Sequence, residues 1–413
     1  MASTPVALTV LQLALHGEVI GHLVRQPGGA TALIFDPAWV NASPRTALTL
    51  SGTPLHPAHR LLHSQPWLRT AGLHPLLANL LPESGLRSTL AQQLNVTADD
   101  DFQLLAALGN ALPGAWHIRA LTPAEIPAGV LDFNARVAQA QPASAVPSGL
   151  QSFSGSQPKL VSTLAHAALP AGNHLFKLPT QAGQTRNEYS ALQLARLAGV
   201  DCVDAELVAA STLPPSPVPL LLNDEPVLAV RRFDRTAGGE QLHTEDFAQA
   251  LFKAPQEKYD ACDAVTLGRL LYRFTPHGLR NVQEFVRRLL VNALLGNGDA
   301  HLKNWSLLYA NGYDATLAPA YDLAFTQPLN IRERVTSIAG CNDWYTLEFM
   351  HFAEWSRAVG VEWRTIKQVL LDTVERARTL WPNALEALPM AETDKLLLRH
   401  HWKSLGKKLQ YGL

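Results

Sequence analysis

The stretch that decides the fold is LLGNGDAHLKNWSLLY, residues 294–309. Six polar or flexible residues, Gly296, Gly298, Asp299, His301, Lys303 and Asn304, are crowded between apolar flanks. Upstream, Phe285, Leu289, Leu290, Ala293 and Leu294 recur at helical spacing, and the glycines end that helix. Downstream, WSLLY has strand character, Asn311-Gly312 is a hairpin dipeptide, and LAPAYDLA returns as a second strand. A hairpin brings its ends together, so Asp322, at the far end of that strand, is expected beside Asp299 and Asn304.

Three convergent oxygen-bearing side chains suit phosphoryl transfer. Divalent ions that bridge nucleotide phosphates need hard oxygen ligands, and a carboxylate must orient the attacking hydroxyl and take its proton. Protein kinases arrange these groups as an Asp, an Asn five residues on, and a second Asp beyond a hairpin. Asp299, Asn304 and Asp322 repeat that order and spacing. Lys177, a charge in the apolar strand text NHLFKLPT, can reach nucleotide phosphates, and Glu188 in the next helical segment can pair with it. The loop SFSGSQPK, residues 152–159, offers small residues and backbone N–H groups that can cover phosphates, although with a single glycine, Gly155. Each feature alone also has a plain structural reading: turn residues, an edge-strand lysine, a first-turn acid that suits a helix dipole.

Composition narrows the alternatives. The chain has 413 residues, enough for two or three domains, and 47% of them are hydrophobic. Charged residues make up 17%, and the net charge is −1, which leaves no electrostatic footprint for nucleic acid or a membrane surface. Cys202, Cys262 and Cys341 are widely spaced and form no CxxC pair, so they read as buried thiols of a cytoplasmic protein. The opening MASTPVALTVLQLALHGEVIG lacks a basic leader and reads as a strand, and no apolar run approaches the ~18 residues of a membrane span.

Four segments follow from the local text. Residues 1–125 are an α/β lead module, in which Asp99, Asp100 and Asp101 offer an N-cap and an acidic first turn to DFQLLAAL. Residues 126–150 are read as a linker, since the stretch AQAQPASAVPSGLQSFSGSQP at 138–158 is rich in Ala, Pro, Ser and Gln. Residues 151–238 carry strand text around one helix, NEYSALQLARLAG, stopped by Gly199. Residues 239–413 are mainly helical. The fold class is therefore α+β: a small β-rich lobe and a large helical lobe behind a separate N-terminal subdomain.

The motifs SGSQPKL, FKLPT, NEYSALQLARLAGV, RRFDR, EDFAQAL, GNGDAHLKN and PAYDLA, in this order, resemble the HipA family of bacterial serine/threonine kinases. LLANLLPESGLR followed by DDFQLLAALGNALPGA is similar to that family's N-terminal subdomain. The resemblance implies a protein-kinase-like two-lobe fold, related to that of the phosphoinositide 3/4-kinases, using ATP and Mg²⁺. It implies Asp299 as catalytic base, with His301 beside it in the catalytic loop, since related lipid kinases give the histidine of a GDxHxxN motif a catalytic part. It implies Asn304 and Asp322 as metal ligands and Lys177, paired with Glu188, on the ATP phosphates. Gly155, Ser156, Gln157 and Lys303 join them as nucleotide contacts, and the backbone near Arg232 and Phe233 forms the hinge against adenine. Some members have an acidic residue where this chain has Arg231. Ser152 matches the family's autophosphorylation serine and Ser154 is the second candidate; a phosphate there adds about two negative charges to the phosphate loop and silences the kinase.

The implied role is that of the toxin of a toxin–antitoxin module. It phosphorylates a protein such as an aminoacyl-tRNA synthetase and is held by a small helix-turn-helix antitoxin of the HipB type. DNA is then contacted through the antitoxin, because the 413 residues show no helix-turn-helix with basic recognition residues. The same GDxHxxN text also fits a small-molecule or lipid kinase, and the same shape fits a catalytically silent protein that only holds its antitoxin.

Overall fold

A computed structural model describes residues 9–59, 61–109, 111–133, 159–161, 173–213, 224–260, 263–329, 335–407 and 409. The chain forms two compact units. The first comprises Met1–Ser156 with Gln241–Glu257 and Tyr309–Asp314, and the second comprises Gln157–Glu240, Lys258–Leu308 and Ala315–Leu413. Segments 241–257 and 309–314 thus cluster with the N-terminal residues rather than with the rest of 239–413.

The first unit is built on an antiparallel sheet of β1 (Thr9–Leu15), β2 (Glu18–Arg25), β3 (Thr31–Phe35), β4 (Trp67–Arg69) and β5 (Trp116–Ala120), ordered β4-β3-β2-β1-β5. The opening text is a hairpin rather than one strand. His16 (φ 51°) and Gly17 (φ 80°) make a two-residue turn with both φ positive, the geometry whose twist matches the strands it joins. Leu11, Leu13 and Leu15 point to one face and are buried, as period-2 alternation requires. They pack with Leu76, Leu77 and the helices α1 (Ser84–Gln93) and α2 (Asp101–Leu108) through Ala91, Phe102, Leu104 and Leu105. Asp100 caps α2 by accepting the Gln103 N–H at 3.0 Å, and it pairs with Arg25 at 2.7 Å. Ile126, on extended backbone, and Val130, in the helical turn that follows, lie inside the stretch expected to be a linker and pack against Val10 and Val24.

The second unit holds a four-stranded sheet of β6 (Lys159–Val161), β7 (His174–Lys177), β8 (Ala205–Val208) and β9 (Val227–Arg231), ordered β6-β7-β9-β8, with α3 (Gln184–Leu197) following β7. Its helices are α4 (Ala264–Phe274), α5 (Gly278–Leu295), α6 (Phe349–Val359), α7 (Trp363–Ala387) and α8 (Glu392–Ser404). Helix α5 packs against α4 and α7, and α7 against α3. From Arg288 to Leu295 every residue of α5 is buried, so the helix read as an amphipathic stripe is central, with Arg288 and Asn292 turned inward. Its last carbonyls, orphaned at any helix end, are met from α8: His401 Nε2 lies 2.8 Å from the Ala293 carbonyl, and Trp402 Nε1 donates to Leu294 at 3.0 Å. The returning strand of the hairpin is short: β11 (Thr316–Leu317) has two residues, which pair with Leu307 and Leu308 of β10 (Ser306–Tyr309), so Asp322 lies on irregular backbone beyond the sheet. Among the described residues no helix is long and apolar enough to cross a membrane. Cys202 is buried, with its thiol pushed up to about 12 by burial, and Cys341 is half-buried; Cys262 lies outside the described residues.

The three segments of the first unit meet at a buried carboxylate. Glu245 is fully buried; its Oε1 accepts from the Leu50 N–H (2.7 Å) and the Tyr309 hydroxyl (2.5 Å), and its Oε2 from Thr49 Oγ1 (2.8 Å). Burial pushes its pKa up to about 7 against these three donors, with the charge of Asp246 adding to the rise. A raised folded-state pKa means that the native protein holds the proton where the unfolded chain has lost it. The stabilisation is complete below the ordinary glutamate range and is lost as pH rises toward 7, by roughly 3 kcal/mol in total. Glu245→Gln, an isostere of the protonated acid, should therefore gain on wild type by about that amount between pH 4.5 and 8 in urea titrations. A pH-independent difference between the two would refute the assignment.

Candidate active site

Lys177 ends β7, an inner strand whose register sets it opposite Leu228 of β9 and Lys159 of β6. Only 2% of it is exposed. Its ammonium contacts both Glu188 Oε1 and Asp322 Oδ1 directly. Burial by itself works to lower its pKa, but the two carboxylates outweigh it and hold the amine charged, above the ordinary lysine value. Glu188 lies one turn into α3, so its side chain points back across β7. The preceding residue, Asn187, clamps the backbone of Phe325: its Oδ1 accepts the Phe325 N–H (2.9 Å) and its Nδ2 donates to the Phe325 carbonyl (3.1 Å). Two adjacent side chains of one helix thus hold the lysine and tether the segment that carries Asp322. Asp322 itself adopts φ 55°, a left-handed conformation that non-glycine residues seldom take.

The loop after α5 is held just as tightly. Gly296 takes φ 64°, and a Cβ there would stand 3.2 Å from the Phe325 ring, so glycine is favoured on both counts. Thr326 Oγ1 accepts the Gly298 N–H (2.9 Å) and donates to the Gly296 carbonyl (3.0 Å). Asn297 Oδ1 accepts the Asp299 N–H (3.2 Å) while its Nδ2 donates to Asn292 Oδ1 (2.8 Å). The Asp299 carbonyl takes the His301 N–H (2.9 Å) and Asn304 Nδ2 (2.7 Å). With its nitrogen so committed, the Asn304 carboxamide has its oxygen, a hard ligand, directed elsewhere. Asn304 and Asp322 line one cleft together with Arg288, Asn292 and Asn297.

Asp299 is half-buried, and its pKa is raised, first by burial and then by the negative charge of Asp322; the Tyr259 hydroxyl and Lys258 oppose the rise. His301 is buried and packs edge-on against Tyr259 at 5.1 Å. Lys303 enters through its carbonyl, which accepts the Tyr321 hydroxyl at 2.8 Å. The Tyr321 ring stacks on Phe233 at 5.6 Å. Arg232 grips Asp234 through two nitrogens (2.9 and 2.7 Å), and its own N–H goes to the Asn173 carbonyl (2.8 Å). Ser152, Ser154, Gly155, Ser156 and Gln157 lie outside the described residues.

The structure therefore brings Lys177, Glu188, Asp322, Asn304 and Asp299 together within the second unit. Sequence reading missed Asn187, Arg288, Asn292, Asn297, Thr326 and Tyr259. Asn187, Arg288, Asn292, Asn297 and Thr326 each lie within a few residues of one already singled out, whereas Tyr259 is 40 residues from Asp299 and carries no local signal. Among the described residues no three His, Cys, Asp or Glu side chains cluster as a metal cage. One carboxylate and one carboxamide fit instead a Mg²⁺ whose remaining ligands are phosphate and water.

This is an α+β, kinase-like fold. A profile of the HipA-like C-terminal domain matches residues 151–381, and one of the HipA N-terminal domain matches residues 11–119. The chain is similar to "Putative kinase Y4dM" of Sinorhizobium fredii, 32% identical over 398 residues, covering 93% of this chain and 94% of that one. It is also similar to "Putative kinase Y4mE" of the same organism, 29% identical over 346 residues and 77% of each chain. Among solved structures it is similar to a chain of the Shewanella oneidensis complex of HipA, HipB and operator DNA, with a TM-score of 0.67 and 20% identity, covering 95% of this chain and 94% of that one. The chain belongs to the HipA family.

A buried charge cluster responds strongly to loss of one member. Lys177→Met removes the ammonium that Glu188, whose side chain is 7% exposed, contacts directly and should cost about 3–5 kcal/mol in chemical denaturation. Adding Glu188→Leu should recover more than half of that loss. A neutral Lys177→Met would show that the cluster does not hold in solution.

Proposed function

We propose that this protein is an ATP-dependent serine/threonine protein kinase and the toxin of a cytoplasmic toxin–antitoxin module. The observation that carries the reading is the contact of Lys177 with both Glu188 and Asp322, on a cleft that Asp322 shares with Asn304. In this reading Lys177, steadied by Glu188, orients the α- and β-phosphates of ATP. Asn304 and Asp322 hold Mg²⁺, which when bound neutralises charge on the phosphates. Asp299 accepts the proton of the acceptor hydroxyl as its oxygen bonds to the γ-phosphorus, the bond to the β–γ bridging oxygen breaks, and ADP departs. The raised pKa of Asp299 suits a base better than that of an open surface aspartate. His301 supports the loop, Phe233 and Tyr321 wall the adenine side, and Ser152 or Ser154 in the phosphate loop is the self-modification site.

Family membership and the relatives named for kinases support the chemistry. The likeness to a chain of a solved complex of HipA and HipB supports a small HipB-like antitoxin as partner. The acceptor is proposed to be a component of translation such as an aminoacyl-tRNA synthetase.

Incubated with γ-labelled ATP and Mg²⁺, wild-type protein should become labelled on Ser152 or Ser154, and Asp299→Asn should lose roughly 10³-fold in rate. Added to lysate, the wild type should label protein bands. A labelled metabolite without a protein band would favour the small-molecule or lipid kinase reading. Unlabelled wild type, or equal labelling by Asp299→Asn, would contradict phosphoryl transfer at this site.

A further inference from the structure

The dipeptide Lys258-Tyr259 engages the catalytic loop at successive points. The Lys258 carbonyl accepts the Leu302 N–H at 3.1 Å. The Tyr259 ring packs edge-on against His301 at 5.1 Å, and the Lys258 ammonium lies over that same ring, 5.4 Å from its centre. The Tyr259 hydroxyl donates to Asp299 Oδ1 at 3.1 Å. Meanwhile Asn297 fixes the Asp299 N–H, and His301 and Asn304 fix its carbonyl. The backbone of Asp299 is thus held from three sides, and the remaining freedom is rotation of its carboxylate. Among the described residues Tyr259 supplies the hydrogen bond that restrains that rotation, and Oδ2 is left without one.

We propose that Tyr259 is a positioning residue for Asp299: its phenol holds Oδ1, so that Oδ2 is presented to the acceptor hydroxyl. This rests on the reading of Asp299 as the base. Tyr259 is 45% exposed, so the residue that holds the carboxylate also reaches solvent. A phenol suits the task because its ring is anchored on His301 while its hydroxyl reaches the carboxylate. Orientation of a base is worth much, since small displacements of a reacting group cost large factors in rate.

Tyr259→Phe keeps the ring and removes only the hydroxyl; Tyr259→Ala removes both. If the hydroxyl positions Asp299, Tyr259→Phe should already lower kcat by roughly ten- to hundredfold with the KM for ATP unchanged, and Tyr259→Ala should add little. If Tyr259 merely packs on His301, Tyr259→Phe will turn over like wild type, which overturns the proposal. A second readout needs no turnover. High-resolution crystal structures should show one Asp299 carboxylate orientation in the wild type and more than one, or a rotated one, in Tyr259→Phe. An unchanged single orientation in Tyr259→Phe overturns the proposal even if kcat falls. Should the wild type transfer no phosphoryl group, the kinase reading fails by itself, and the crystallographic comparison still decides whether Tyr259 aims the carboxylate.

Discussion

A single buried ammonium organises the second unit. Lys177 sits at the end of an inner strand where water cannot solvate it, so its charge is sustainable only while two carboxylates touch it. Glu188 comes from the next helix, eleven residues on; Asp322 comes from backbone 145 residues away. The requirement that both reach one nitrogen ties the sheet, helix α3 and the segment beyond the hairpin into one arrangement.

The loop bearing Asp299 and Asn304 obtains its rigidity from far downstream. Helix α5 ends on carbonyls that α8 satisfies, more than 100 residues later in the chain. Thr326 and Asn187 then fasten the two backbones that run on from Gly296 and toward Phe325. These hydrogen bonds satisfy buried polar groups, so they add stability and geometry at once. The first unit follows the same logic with a different group, closing its three chain segments on Glu245.

Much of the fold was legible because it is written in local patterns. Strand β1 shows period-2 burial, α2 begins at its acidic cap, and α3 stops at Gly199 with φ 91°. The hairpin turn at His16-Gly17 was missed, since histidine is not a usual φ-positive residue and the flanking apolar text runs on without a break. The linker was drawn too early, because Ile126 and Val130 are sparse apolar residues whose partners, Val10 and Val24, lie at the other end of the unit. Helix α5 read as amphipathic, since a sequence cannot show that Arg288 and Asn292 find polar company in a cleft rather than in water.

The identities and spacings of Asp299, Asn304, Lys177 and Glu188 were decided by the sequence alone, because a loop five residues long and a strand-to-helix step leave the chain few ways to arrange them. That Asp322 reaches Lys177, that it does so in a left-handed conformation, and that Tyr259 and Asn187 hold the pieces in place were decided only by the tertiary structure. These contacts join positions tens to more than a hundred residues apart, and their energy comes from shared burial, which no local pattern encodes.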